Sequence, residues 1–120
     1  MNTIELLGEE ETFKNIVEHK ITELEDNKID IIRNYAFYYC SSLTSVSFPN
    51  VTSIGEDAFN GCSGLTTIYV GTESDTVCSL SSTNAIPSSV TDIYVPASLV
   101  DSYKSATNWS NYADKIKATP

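Results

Sequence analysis

The hydrophobic and polar positions of two adjacent stretches of the chain agree almost one for one. Residues 32–48 read IRNYAFYYCSSLTSVSF, and residues 54–70 read IGEDAFNGCSGLTTIYV, 22 positions later. The apolar pairs that match over this offset are Ile29/Val51, Ile32/Ile54, Ala36/Ala58, Phe37/Phe59, Cys40/Cys62, Leu43/Leu65, Val46/Ile68 and Phe48/Val70. Self-similarity at a fixed period is typical of a protein built from stacked coils, with one coil per repeat.

Fainter copies of the pattern lie on both sides. Ile21 and Leu24 match the leucine and valine of the first clear repeat at the same offset of 22. Val90, Ile93 and Val95 match the apolar residues of the second repeat after 25 positions, so this coil carries an insertion of three residues and lacks the Ala-Phe-x-x-Cys part. Atypical terminal repeats are expected where a stack of coils ends.

Each repeat contains one predicted strand and one predicted turn. Alternation along Leu-x-x-Val-x-Phe-Pro places Val46 and Phe48 inward and Ser47 outward. Residues 55–59 then predict a turn that enters one helical turn, which Gly61 closes. One coil cannot bury its apolar side alone, whereas stacked coils form continuous apolar ladders.

The flanks of the repeats predict helices. Apolar residues at helical spacing predict an N-terminal helix over Glu9–Leu24. Pro96 suits a helix start, and a second short turn or helix is predicted from Trp109 to Ile116. The predicted organisation is an acidic N-terminal cap helix and degenerate first coil at 1–28, repeats at 29–95 (29–50, 51–70 and 71–95), and a C-terminal helical cap at 96–120.

The motif Ile54-Gly55-x-x-Ala58-Phe59-x-x-Cys62-x-x-Leu65-x-x-Ile68 resembles the BspA-like leucine-rich repeat. Residues 93–117, IYVPASLVDSYKSATNWSNYADKIK, are also similar to the ending of many such proteins from gut bacteria and their phages. The resemblance implies an α/β leucine-rich-repeat solenoid of about three coils with N- and C-terminal capping helices. It also implies a binding role, since family members typically act as adhesins or surface binders.

Length and composition fit one globular domain. The 120 residues are 41% hydrophobic and 19% charged. Apolar runs of three to five residues are too short to span a membrane, and the N-terminus has no signal-peptide pattern. We therefore expect a cytoplasmic or phage-associated protein, or a cell-surface protein if the chain has been trimmed.

The net charge of −9 is concentrated at the N-terminus. Residues 1–30 hold nine acids against three lysines, which disfavours direct nucleic-acid binding. Glu9, Glu10, Glu11 and Glu18 define an alternative acidic binding face that could meet a basic protein surface. A solvated helix that only keeps the chain soluble explains the same charges.

No pattern of catalytic residues stands out. His19 is the single histidine, and the serines lack Gly-x-Ser-x-Gly or Ser-x-x-Lys settings. We predict no catalysis, no cofactor and no metal site. Cys40 and Cys62 are expected to be small buried apolar residues on neighbouring coils, whereas Cys78, in a polar stretch, is expected to be the most exposed thiol.

The remaining candidate is a polar and aromatic surface. Its predicted binding residues are the outward strand positions and one tyrosine-rich loop: Thr44, Ser47, Thr67, Tyr69, Asp92, Tyr94, Tyr38 and Tyr39. Tyr69 and Tyr94 should stack on one another across neighbouring strands. Tyrosine combines apolar area with a hydroxyl and is favoured at recognition surfaces, although it is also simply a good strand residue.

Three functions remain open from these observations. The first is non-catalytic recognition of a partner, most readily a protein and otherwise a glycan, through the strand face. The second is a small acidic, phage-encoded inhibitor, similar to an anti-CRISPR protein, that covers a basic nucleic-acid-binding surface of a host enzyme. The third is a structural or assembly protein, and the oligomeric state stays open.

Overall fold

Two parallel sheets form the sides of a stack of coils in the computed structural model, which describes Ile16 and residues 20–120. The longer sheet has the strand order β1-β3-β5-β7-β8 and the shorter one the order β2-β4-β6. The strands are β1 (Glu23–Glu25), β2 (Ile31–Ile32), β3 (Ser45–Phe48), β4 (Ser53–Ile54), β5 (Thr67–Val70), β6 (Ser79–Leu80), β7 (Asp92–Val95) and β8 (Ile116–Ala118).

Helical structure lies in the last coil and in the C-terminal segment, which we define as residues 96–120. The C-terminal segment contains the α-helix α1 (Val100–Ser105). Short 3-10 turns cover Thr83–Ala85, Ala97–Leu99 and Trp109–Lys115, and the last of these is kinked at Tyr112.

The strand register follows the sequence repeat. Leu24 pairs with Val46 and Val46 with Ile68, two steps of 22 residues, and Ile68 pairs with Ile93 after 25. The weak echo around Leu24 is therefore a strand of the sheet. The three extra residues of the later repeat are absorbed before β7 without any shift of the in–out alternation.

The core is a set of ladders made by equivalent residues of successive coils. Phe37 stacks on Phe59 with ring centroids 5.2 Å apart and planes 4° from parallel, and Phe48 packs against both rings. These three side chains are at most 1% exposed. Burying a phenylalanine contributes roughly 1.5–3 kcal/mol, so the phenylalanine ladder is a main source of cohesion between coils.

Two turn positions have a left-handed backbone in each of the two clear repeats, 29–50 (here the first coil) and 51–70 (the second coil). In the second coil Asp57 (φ 52°) and Gly61 (φ 82°) occupy them, and both residue types tolerate this conformation. In the first coil the equivalent residues are Tyr35 (φ 60°) and Tyr39 (φ 58°). A left-handed conformation costs a residue with a Cβ roughly 1–2 kcal/mol, so the first coil is strained at both tyrosines.

Side chains of the C-terminal segment complete the outer edge of β6. The amide of Cys78 donates to the hydroxyl of Tyr103 at 2.8 Å, and its carbonyl accepts from Trp109 Nε1 at 2.7 Å. Asn108 Nδ2 donates to the carbonyl of Leu80 at 2.6 Å. These side chains take the place of a further strand, because the buried backbone groups of Leu80 in β6 and of Cys78 just before it need partners.

Two predicted helices differ from the structure. Leu24, which the sequence places both at the end of the N-terminal helix and in the degenerate first coil, lies in β1, because its pairing with Val46 supplies the sheet with another strand. Ile116, predicted to continue a helical turn, begins β8, which pairs with β7 and covers the open edge of the longer sheet. Residues 55–59 form turns without an α-helix. Most of the predicted helix over Glu9–Leu24 lies outside the described residues.

We predict that Trp109→Phe lowers the free energy of unfolding by about 1–3 kcal/mol, because it leaves the buried carbonyl of Cys78 without its donor. Urea denaturation monitored by circular dichroism measures the change. Ser110→Ala is the matched control, since Ser110 is exposed, and it should stay within about 0.5 kcal/mol of the parent. Equal stability of Trp109→Phe and the parent would contradict this role of the indole.

Candidate functional site

Parallel pairing aligns the outward side chains of the longer sheet into rows that cross the strands. One row contains Glu25, Ser47, Tyr69, Tyr94 and Lys117. The adjacent row contains Glu23, Ser45, Thr67 and Asp92. We call these two rows the strand face.

Tyr69 and Tyr94 are stacked at the centre of the strand face. Their ring centroids lie 4.9 Å apart and their planes differ by 23°. Both side chains remain partly exposed. The expected stack is confirmed, and it follows from the register, which places equivalent outward positions about one strand spacing apart.

Asp92 forms an ion pair with Lys117 of β8 beside the stacked tyrosines. The hydrogen bond from Lys117 holds the pKa of the Asp92 carboxyl below its ordinary value, and a hydrogen bond from the hydroxyl of Thr91 adds to the shift. The same bond raises the pKa of Lys117. Sequence reasoning missed Lys117, because the helix predicted up to Ile116 hid the strand that carries it onto this face.

Of three other predicted binding residues, only Ser47 is less exposed than expected. Ser47 is only 9% exposed, which corrects the expectation of an open outward position. Its short side chain sits in register between those of Glu25 and Tyr69. The hydroxyl of Thr44 donates to the carbonyl of Thr22 at 3.0 Å and thereby links two coils. Thr67 remains partly exposed next to Asp92.

Tyr38 and Tyr39 belong to a separate cluster in the turn between β2 and β3. Tyr38 packs edge-on against Tyr35 at 5.2 Å and against Tyr39 at 4.5 Å. Desolvation and the adjacent Tyr39 raise the pKa of Tyr38 above its ordinary value. Tyr39 is 53% exposed, so the cluster presents aromatic surface outside the strand face.

The alternative acidic face lies outside the described residues, since it consists of Glu9, Glu10, Glu11 and Glu18. Glu23 and Glu25 of β1 are described and exposed, and they extend the acidic character of the N-terminus onto the first strand of the longer sheet.

The three thiols are all buried. Burial raises the pKa of Cys40, Cys62 and Cys78 to about 12 in each case. The expectation that Cys78 is the most exposed thiol is wrong: it is 0% exposed, because the C-terminal segment covers it through Tyr103 and Trp109. The prediction for Cys40 and Cys62 as buried apolar residues is confirmed.

The part of the chain that the structure describes holds no group of three His, Cys, Asp or Glu side chains arranged to bind a metal ion. None of its helices combines the length and apolar character needed to cross a bilayer.

Strands repeated every 22 to 25 residues, paired in parallel into two sheets with few helices, define an α/β repeat protein. The family described as BspA type leucine rich repeat region matches residues 6–86, in 6 copies. The chain belongs to this family. No curated protein matches it significantly. Leucine-rich repeats commonly mediate protein interactions, and the family is typically a non-catalytic binding module.

We predict that none of the three cysteines reacts with a thiol reagent in the folded protein at pH 8. The thiolate is the reactive form, and a pKa of about 12 keeps each buried thiol protonated at this pH. In guanidinium chloride all three cysteines should react with the reagent, since unfolded thiols have a pKa of about 8.5. Reaction with Ellman's reagent, followed by peptide mass mapping, distinguishes the sites. Rapid native labelling of Cys78 would contradict its burial.

The raised pKa of the three buried thiols determines how they make the stability of the protein depend on pH. Between about pH 8.5, where unfolded thiols ionise, and pH 12, the folded thiols retain protons that the unfolded chain has lost. Their contribution to stability is therefore complete below this window and is lost as the pH rises through it.

Proposed function

We propose that this protein is a non-catalytic interaction module that recognises a protein partner through its strand face. The observation that carries the proposal is the partly exposed stack of Tyr69 and Tyr94 at the centre of that face. Exposed tyrosines on a rigid sheet offer a large amphipathic contact at a small cost in conformational entropy. A glycan partner is the variant of this proposal in which the rings stack on sugars.

The surroundings of the two rings support this role. On the β3 side the outward residues are Ser47, which pairs with Tyr69, and Ser45, which pairs with Thr67, and both side chains are short. On the β8 side the Asp92–Lys117 ion pair borders the rings with fixed charges. An aromatic centre with a polar rim is the usual anatomy of a protein interface.

Rigid support is the second requirement that the strand face meets. Tyr69 and Tyr94 lie on paired strands, and their neighbours Ile68, Val70 and Ile93 are at most 1% exposed in the core. Side chains on strands are held more precisely than those on loops. The binding geometry is therefore formed before the partner arrives, which lowers the entropic cost of association.

The acidic inhibitor stays as a second candidate because Glu23 and Glu25 continue the N-terminal charge onto exposed positions of β1. A basic partner would then bind at the β1 end of the molecule. Such binding should weaken steeply with salt and should be lost when Glu9, Glu10 and Glu11 are changed to lysine.

We predict that Tyr69→Ala combined with Tyr94→Ala weakens partner binding by roughly 30-fold or more, the effect of losing a hot spot of about 2 kcal/mol. The immobilised protein first captures partners from a lysate and from intact cells, and mass spectrometry identifies them. Calorimetry with the purified partner then compares the variants at low and high salt.

The matched control is Ile31→Ala, which removes an exposed apolar side chain (53% exposed) from the other sheet. It should leave the affinity unchanged. Equal affinities of the double variant and the parent, or an equal loss in the control, would overturn the strand-face proposal. Loss of binding only in the Glu9, Glu10 and Glu11 reversal would favour the acidic inhibitor instead.

A further inference from the structure

A groove lies between the last coil and the C-terminal segment, away from the residues of the strand face. Its volume is about 630 Å³, within the range of sites for drug-sized ligands. One wall comes from the turn around Asn60 and Gly61 and from residues 83–89, and the other from Asn111, Tyr112 and Lys115. None of the sequence motifs considered above pointed to this place, since the groove arises only when the C-terminal segment folds back.

The floor of the groove is fixed by backbone hydrogen bonds. Tyr112 is 9% exposed, and its hydroxyl contacts the carbonyl of Thr83 and donates to that of Ile86 at 3.0 Å. The hydroxyl of Ser89 donates to the carbonyl of Leu65 at 2.6 Å. The two walls are therefore held together, and the groove exists before any ligand binds.

Polar side chains in the lining have unused hydrogen-bonding capacity. Asn84, Ser63 and Ser88 make no side-chain hydrogen bond to the described residues, and the amide of Asn60 reaches Asp57 only at 3.5 Å. Amide and hydroxyl groups both donate and accept. A ligand rich in hydroxyl groups could satisfy several of them at once.

The charge of the groove is opposite to that of the protein. The chain carries −9 overall, yet the groove lining contains one cation, Lys115, and no carboxylate. The ammonium group of Lys115 lies 6.0 Å from the centre of the Tyr112 ring and forms no ion pair with a described residue. An anionic group on the ligand would find its counter-charge here.

An exposed aromatic ring borders the groove at the side of Gly61. The ring of Tyr39 covers Gly61 so closely that a Cβ at that glycine would lie 2.6 Å from it. Tyr39 is 53% exposed and has a left-handed backbone. The equivalent residue of the next coil is Gly61, which adopts the same conformation. Strain retained at one residue points to a use for its side chain, and an exposed tyrosine beside the groove lining offers apolar area to a sugar ring.

We infer that this groove binds a saccharide that carries a carboxylate, such as a uronic acid oligosaccharide. Lys115 pairs with the carboxylate, Asn84 and the serines bond to the hydroxyls, and Tyr39 packs against a ring. A peptide is the weaker fit, because peptide anchors fill apolar pockets, whereas Ile86 and Tyr112 are buried below the groove surface. The site is independent of the strand face.

The test titrates the full-length protein with trigalacturonate and, in parallel, with its methyl ester, in which each carboxylate is capped by a methyl group and carries no charge. Nitrogen-15 NMR follows the backbone amides. We expect the acid to shift amides in residues 60–63, 83–89 and 111–115, and the ester to bind at least about tenfold more weakly, because a charge-assisted hydrogen bond is lost.

Lys115→Gln should lower the affinity for the acid by about tenfold, and Asn84→Ala should lower it by a smaller factor. Lys104→Gln on α1 is the matched control, because Lys104 is an exposed lysine outside the groove lining; it should not change the affinity. Circular dichroism melts confirm that each variant is folded. Tyr69→Ala should bind the saccharide normally, which separates this site from the strand face.

Four outcomes would overturn the inference: no shifts at millimolar saccharide, equal binding of acid and ester, equal losses in Lys115→Gln and Lys104→Gln, or shifts confined to β5 and β7. Triglutamate serves as a peptide probe. If it binds in the groove as tightly as trigalacturonate, the groove recognises carboxylates on a peptide and the assignment to a saccharide is wrong.

Discussion

Backbone hydrogen bonding between parallel coils is the constraint on which the rest of this structure depends. The strands of each coil hydrogen-bond through their N–H and C=O groups to the strands of the next coil. The last coil has no further coil to pair with, so it leaves an open edge on both sheets. Two different solutions close them. On the longer sheet a real strand, β8, pairs with β7. On the shorter sheet the side chains of Tyr103, Asn108 and Trp109 bind the backbone of β6 and of the residue just before it. A buried group left without a partner would cost about 1–3 kcal/mol, so the C-terminal segment is part of the repeat stack.

Closing the stack also shapes both surfaces proposed to bind ligands. Pairing of β8 with β7 brings Lys117 next to Tyr94 and onto Asp92, which completes the polar rim of the strand face. The turn that follows Trp109 places Tyr112 on the carbonyls of the last coil and sets Lys115 over the groove. The segment that satisfies the backbone thus supplies the cations of both surfaces to an otherwise acidic protein.

What repeats in the sequence was predictable, and what does not repeat was not. The offset of 22 residues fixed the register of Val46 and Ile68, and the register in turn placed Tyr69 on Tyr94. Burial of Cys78 and the strand at Ile116 depend on contacts made by a segment that occurs once, so no internal copy reveals them. The groove, too, depends on this non-repeated segment, which supplies one of its walls. The period shows itself in the comparison of internal copies, whereas closure depends on single contacts of Tyr103 and Trp109 with Cys78 that have no copy.

Comparing equivalent positions of the two clear repeats shows which residue types the fold does not require. The second coil fills its left-handed turn positions with Asp57 and Gly61, residues that accept this backbone readily. The first coil fills the same positions with Tyr35 and Tyr39. Since both coils have one fold, the backbone alone does not call for tyrosine. Local rules are broken most often where a side chain has another task, and the exposed ring of Tyr39 stands at the border of the groove, where such a task is available.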